Sequence, residues 1–206
     1  MQDRGYDFPR TLLVGNPVHR VVETIRSDHE DMRNLEIKTR YDDLDLARQL
    51  ALSLGAKDGG VSQDADTYFR VQHGRLKLRQ AAGDSHGTLI HYDRPDRVES
   101  RYSEYRLATV GEAREIEALL DAALGTLVTV IKIRHVLLYS ATRIHLDQVE
   151  RLGRFVELET VLRGQSEEEA QAEQELVKQA LGLNRREPVA FSYSDLLLRA
   201  KERQDA

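Results

Sequence analysis

The sequence has no cysteine and no tryptophan, only four prolines and two methionines, and 6% aromatic residues over 206 positions. Without cysteine there can be no disulfide and no thiolate metal site, which agrees with a cytoplasmic protein. No segment approaches the roughly 20 consecutive apolar residues of a membrane-spanning helix, and no basic-then-apolar start resembles a secretion signal. Neither a membrane partner nor export is therefore expected. An excess of positive charge is also missing: 30 Lys and Arg stand against 35 Asp and Glu, a formal net charge of −5. A general nucleic-acid surface is thus not expected, and cations that matter must be gathered in one place. With 40% hydrophobic and 32% charged residues, the chain has enough apolar material for one core.

What is present is a repeated two-residue period. Thr142 to Leu162 reads as two strands joined by a turn at Arg151 to Gly153, because side chains on a strand alternate faces. Arg143, His145 and Asp147 share one face of the first strand, opposite Ile144 and Leu146. Glu157 and Glu159 share one face of the second, opposite Val156, Leu158 and Leu162. A surface hairpin would produce the same alternation, but the pattern recurs. Asn34, Glu36, Lys38 and Arg40 alternate with Leu35 and Ile37, Arg75, Lys77 and Arg79 with Leu76 and Leu78, and Lys132 and Arg134 with Ile131 and Ile133. Apolar sides packed under helices, with charged sides facing one another, describe a curved sheet closed around a charged lumen. The expected fold class is α+β: an antiparallel barrel of about eight strands with flanking helices.

Asp42 or Asp43 can cap a helix carrying Leu44, Ala47, Leu50 and Leu54, which Gly55 ends. Val61 to Val71 and Arg75 to Gln80 form a hairpin around His73-Gly74, followed by strands at Thr88 to Asp93 and Ser100 to Thr109 with a loop at Pro95-Asp96. A helix over Glu112 to Leu124 is expected to turn Ile116, Leu119, Leu120 and Ala123 inward, with Gly125 as its stop. Ser166 and Glu169 form a capping box for a helix to about Leu181, and a short helix follows from Ser194. Residues 1–31 read as an extension with one short helix near Val18 to Ile25, and 32–206 as a single domain.

The proposed lumen collects Lys38, Arg40, Arg75, Lys77, Arg79, Arg106, Lys132, Arg134 and Arg143 against Glu36, Glu104, Asp147, Glu157 and Glu159. Excess cationic charge is costly to enclose, so a polyanion such as a triphosphate is the expected occupant. Guanidinium groups match phosphate oxygens with paired hydrogen bonds. Carboxylates beside a phosphate repel it unless a cation intervenes, and hard ions such as Mg²⁺ or Mn²⁺ bridge the two, so Glu36, Glu157 and Glu159 fit as ligands. Two other readings of the carboxylates stay open here: ion pairs between adjacent strands, and a glycosidase-like acid and base pair in Glu157 and Glu159. His145 is either a proton-transfer group or a wall residue, and Tyr68 either touches substrate or fills the wall.

The segments Asn34-Leu-Glu-Ile-Lys-Thr-Arg40, Asp66-Thr-Tyr-Phe69 with His73-Gly-Arg-Leu-Lys-Leu-Arg79, and Thr142-Arg-Ile-His-Leu-Asp147 followed by Leu152-Gly-Arg-Phe-Val-Glu-Leu-Glu159 resemble the CYTH superfamily of triphosphate tunnel metalloenzymes. They look most like its class IV adenylyl cyclase-like branch, over roughly Met32 to Leu198. The resemblance implies a metal-dependent enzyme converting ATP to cyclic AMP and pyrophosphate, with hydrolysis of inorganic or organic triphosphates, thiamine triphosphate among them, as the alternative. A non-catalytic nucleotide- or polyphosphate-binding module is the third reading. It implies metal ligation by Glu36, Glu157 and Glu159, with Asp147 as a further member. Phosphate binding falls to Lys38, Arg40, Lys77, Arg79, Arg106, Lys132, Arg134 and Arg143, of which Lys38, Lys132 and Arg134 are the candidate catalytic residues. The chain departs from the usual Glu-x-Glu-x-Lys of the first strand, since Asn34 replaces the first glutamate and brings no charge. Either a monomer or a homodimer is compatible with the sequence.

Overall fold

The computed structural model of the protein describes residues 32–93 and 99–205. The expected helix near residues 18–25 and the Pro95-Asp96 loop lie outside the described residues. Eight strands form a closed barrel: β1 (Met32–Arg40), β2 (Lys57–Phe69), β3 (Arg75–Ala81), β4 (Gly87–Asp93), β5 (Arg101–Val110), β6 (Thr126–Tyr139), β7 (Thr142–Val149) and β8 (Gly153–Val161). Their order around the wall is β1-β5-β4-β3-β2-β6-β7-β8, and every neighbouring pair is antiparallel. Closure gives each of these strands a hydrogen-bonded neighbour on both sides.

The alternation in the sequence becomes an inside and an outside. Ile37, Ile144, Leu146, Val156 and Leu158 point outward and share a core with Ala47 and Ala51 of α1 (Leu44–Ser53) and Val177 of α3 (Glu167–Ala180). Asp43 caps α1 by accepting from the Leu46 amide, and Gly55 ends it at φ +99°, a conformation costly for any residue with a Cβ. Ser166 and Glu169 close α3 with the expected reciprocal capping box. Strand β2 begins at Lys57, before the expected Val61, and a register shift between Asp58 and Gly60 carries it past β6.

Helix α2 (Ala113–Leu124) lies over β2 and β3, where Ile116 and Leu120 pack around Phe69, Leu78 and Ala113. The expected inward face was too wide: Leu119 is 65% exposed and Ala123 is exposed. Two strands support the helix, so only a narrow stripe of it is covered.

The last helix, α4 (Tyr193–Asp205), enters the barrel with its first turns, while Arg199 and residues 201–204 are exposed. Its Tyr193 and Leu197, with half-buried Leu196, pack among Tyr68, Ile90, Tyr92, Val130, Val149 and Phe155, whose strand positions face the lumen. The approach is fixed by a bridge from Pro188 to Thr39 and by the Val189 amide donating to the Lys38 carbonyl at 2.8 Å. One end of the barrel is therefore closed by the chain's own C-terminal helix.

Candidate active site

Strand register sets the charged wall. Glu36 lies opposite Glu159 and Lys38 opposite Glu157 across β1 and β8, while His145 lies opposite Glu157 across β7 and β8. Arg134 faces Asp147 from β6, and Asp66 faces Arg79 from β2. Lumen-facing charges thereby form two groups.

In the first, Asp66 holds three cations. Its Oδ1 accepts from Arg79 Nε at 2.7 Å, and its Oδ2 from Lys77 at 3.0 Å and Lys132 at 2.8 Å. Asp64 adds a longer contact to Lys132 at 3.8 Å. Burial pushes the Asp66 carboxyl upward, but Arg79, Lys132 and Lys77 together hold it well below the usual carboxylate range. Burial, reinforced by the nearby Arg79, pushes Lys132 down to about 8 despite Asp66.

In the second, Arg134 donates to Asp147 at 2.7 and 2.6 Å and to Glu157 Oε2 at 2.9 Å. Lys38 lies 3.2 Å from Glu157 Oε1 and 4.0 Å from the centre of the Tyr193 ring. The Tyr193 hydroxyl donates to Asp147 Oδ2 at 2.8 Å. Burial raises the carboxyl of Glu157, yet Lys38 and Arg134 bring it well below its ordinary value. Asp147, expected as a metal ligand, is fully enclosed with both oxygens already held by Arg134 and Tyr193.

His145, Glu157 and Glu159 place one potential ligand atom each within 4.8 Å of one another. His145 Nδ1 and Asn34 Oδ1 are buried with no hydrogen-bond partner. A buried polar atom left unsatisfied is costly, so a cation among these groups would relieve a real deficit, and the donor set of carboxylates with imidazole suits a divalent ion. Glu36, 8% exposed, borders the same group through its register with Glu159.

The remaining expected phosphate ligands divide. Arg143 stands in the wall 3.9 Å from Glu159 Oε2. Arg40 sits at the rim, donating to the Leu152 carbonyl and lying 5.0 Å from the Phe155 ring centre. Arg75 is tied to Asp195 of α4 at 3.0 Å. Arg106 is a correction: β5 registers with β4 so that Tyr105 and Leu107 face inward, and Arg106 and Glu104 lie on the outer face, both exposed. Arg101 takes the inward phase, 3% exposed and opposite Glu36. Asp64, Asp66 and Arg101 escaped the sequence reading, although Asp64 and Asp66 share the phase of Tyr68 and were open to the same alternation argument. Arg101 takes the place of Arg106, and Asp64 and Asp66 that of Glu104, so the lumen is only slightly nearer to neutral than expected.

The CYTH domain model matches residues 32–191. The chain belongs to the CYTH family. No curated protein shows significant similarity to it. Among solved structures, the PH1012 protein of Pyrococcus horikoshii superposes with a TM-score of 0.69 at 22% identity, covering 79% of this chain and 98% of that one. A candidate adenylate cyclase from Vibrio parahaemolyticus gives 0.64 at 16% identity, covering 82% and 99%. A Hippeastrum protein, described as a candidate adenylyl cyclase with a dominant triphosphatase activity, gives 0.56 at 13% identity, covering 82% and 96%. At these identities the likeness is one of fold. CYTH proteins are generally metal-dependent enzymes acting on triphosphates, and this barrel carries an acidic cluster fit for the metal. Among the described residues, no helix is long and apolar enough to cross a membrane.

Proposed function

We propose that this CYTH protein is a metal-dependent triphosphatase, hydrolysing the terminal phosphate of inorganic or organic triphosphates inside the barrel. The observation that carries the reading is the closed lumen in which Lys38, Lys77, Arg79, Lys132 and Arg134 all converge on buried carboxylates. These cations are preorganised, and a triphosphate entering the lumen exchanges carboxylate partners for phosphate oxygens without a large rearrangement. Lys38, Lys132 and Arg134 are the residues assigned to the reacting phosphates, with Arg143 and Arg101 on adjoining strands. Glu157, Glu159 and Glu36 would hold a divalent cation such as Mg²⁺ or Mn²⁺. Such an ion screens carboxylate from phosphate and stabilises charge on the phosphate oxygens.

Hydrolysis is favoured over cyclisation because α4 already occupies one end of the lumen, with Tyr193 against Lys38. A cyclase must also hold a nucleoside and present its 3′-oxygen to the α-phosphate, whereas a triphosphatase positions only a water. The second reading, a class IV adenylyl cyclase, is supported by the branch that the strand segments resemble. Incubation with inorganic triphosphate, thiamine triphosphate and ATP in Mg²⁺ or Mn²⁺, with chromatographic separation of products, tests the choice. Orthophosphate with a diphosphate is the expected result. Cyclic AMP with pyrophosphate would establish the cyclase instead, and binding without turnover would leave a polyphosphate-binding module.

A further inference from the structure

We propose that His145 is a nitrogen ligand of the lumen's divalent cation, and that it makes the site select Mn²⁺ and later transition ions over Mg²⁺. The inference rests on the metal-dependent reading above and concerns which ion that site takes.

The register of β7 brings the imidazole to the carboxylates. His145 faces the lumen opposite Glu157 on one side and Val136 on the other, and it is 4% exposed. Its Nδ1 lies 3.9 Å from Glu157 Oε2 and 3.7 Å from Glu159 Oε1. Both separations are too long for a hydrogen bond, and the atom has no other partner. Two ligand atoms each about 2.1 Å from one ion lie roughly 3–3.5 Å apart, so a shared cation needs these contacts to close by about 0.2–0.9 Å. A solvated surface pair would have water to satisfy Nδ1. Here Nδ1 is buried in the wall.

The neighbouring carboxylates divide the work unevenly. Glu157 already meets Lys38 and Arg134, while Glu159 has Arg143 at 3.9 Å and remains partly open. Asp147, the inward carboxylate of β7, has both oxygens held by Arg134 and Tyr193. The strand thus offers nitrogen where it could have offered oxygen. On β1, Asn34 also brings a neutral oxygen in place of a carboxylate. Mg²⁺ demands hard oxygen ligands and near-ideal octahedral geometry, whereas imidazole suits ions further along the first transition row. Replacing carboxylate by imidazole therefore costs Mg²⁺ more than Mn²⁺ or Co²⁺.

The test uses the full chain without substrate. Calorimetric titration with Mn²⁺ and Mg²⁺ is expected to give Mn²⁺ binding at least about tenfold tighter in the wild type, a gap that His145→Asn closes by weakening Mn²⁺ and leaving Mg²⁺ within about twofold. Pulsed electron paramagnetic resonance of the wild-type Mn²⁺ complex should show a ¹⁴N coupling, and this measurement stands even where the variant fails to fold. Absence of that coupling overturns the inference, as does a variant that weakens both ions alike. In either case, Mn²⁺-dependent hydrolysis of tripolyphosphate would leave the proposed function intact. A wild-type protein that binds neither ion, with or without tripolyphosphate, overturns both.

Discussion

Lys132 donates to Asp66 Oδ2 at 2.8 Å across a wall that leaves both side chains all but solvent-free, and the same carboxylate also holds Lys77 and Arg79. One anion therefore restrains three of the cations assigned to phosphate. Asp66→Asn leaves them facing one another, and breaking a buried ion pair in this way costs about 3–5 kcal/mol. The variant should melt lower than wild type and be stabilised more by saturating tripolyphosphate, because the polyanion replaces the lost carboxylate. An unchanged melting temperature, with and without tripolyphosphate, would show that this carboxylate does not organise the phosphate cations.

The depressed Lys132 gives a pH dependence with a definite sign. Its folded value is about 8, below that of the unfolded chain, so raising pH through about 8 removes the charge from the folded protein first. For this residue stability rises over that interval rather than falling, because the unfolded state then binds more protons. A decline in kcat/KM for tripolyphosphate above about pH 8, with no fall in melting temperature attributable to Lys132, is therefore expected. Lys132→Arg keeps its charge and should shift the decline upward. The same alkaline limb in both proteins would assign it to another group.

Two arginines on one strand offer a paired test of the lumen. Arg101 is buried opposite Glu36, while Arg106 is exposed on the outer face. Charge-assisted contacts are typically worth about 1.5–3 kcal/mol, so Arg101→Met should raise KM for tripolyphosphate by roughly tenfold or more. Arg106→Met should leave it unchanged. Circular dichroism establishes that both variants fold, and equal effects of the two would contradict the phase of β5.

That phase marks the boundary of what was legible. Alternation in β1, β3, β6, β7 and β8 identified the inward charges because the opposite phase of each strand carries aliphatics such as Leu35, Ile37, Leu76, Leu78, Ile131, Ile144, Leu146, Val156 and Leu158. Strand β5 reads Arg-Tyr-Ser-Glu-Tyr-Arg, polar on both faces, so its phase is decided only by pairing with β1 and β4. The terminal helix was expected from Ser194, and it runs from Tyr193 to Asp205. Its place inside the barrel was not expected, since local periodicity says which face is apolar but not which surface receives it. The alternation also reaches Asp66 and Asp147, but the contacts of Asp66 with Lys132 and of Asp147 with Tyr193 join distant parts of the chain, which no short-range pattern carries.

The seating of α4 can be tested at Tyr193, whose ring lies over Lys38 and 5.1 Å from Phe155 while its hydroxyl reaches Asp147. Tyr193→Phe removes one hydrogen bond to a buried carboxylate and should cost about 1–3 kcal/mol of stability. Tyr193→Ala also removes the ring and should cost about 3–5 kcal/mol. Chemical denaturation measures both. Near-zero losses would mean that the helix end is not anchored in the lumen.

Asn34 provides the last test, because it faces the lumen two residues before Glu36 and is 4% exposed with its Oδ1 unpartnered. Residues two apart on a strand lie about 7 Å from each other on the same face, so a carboxylate here would stand beside the proposed cation site. Without metal, Asn34→Glu buries an added negative charge near Glu36 and should lower the melting temperature. With metal the sign reverses, since opposite charge close to a divalent ion is favourable even in a partly wet site. Calorimetric titration with Mn²⁺ in the absence of substrate should therefore show tighter binding for Asn34→Glu and weaker binding for Glu159→Gln. The metal concentration for half-maximal hydrolysis should move in the same directions. If Asn34→Glu binds Mn²⁺ no better than wild type while its metal-free form is destabilised, this face of β1 does not border the ion, and the site must be confined to β7 and β8.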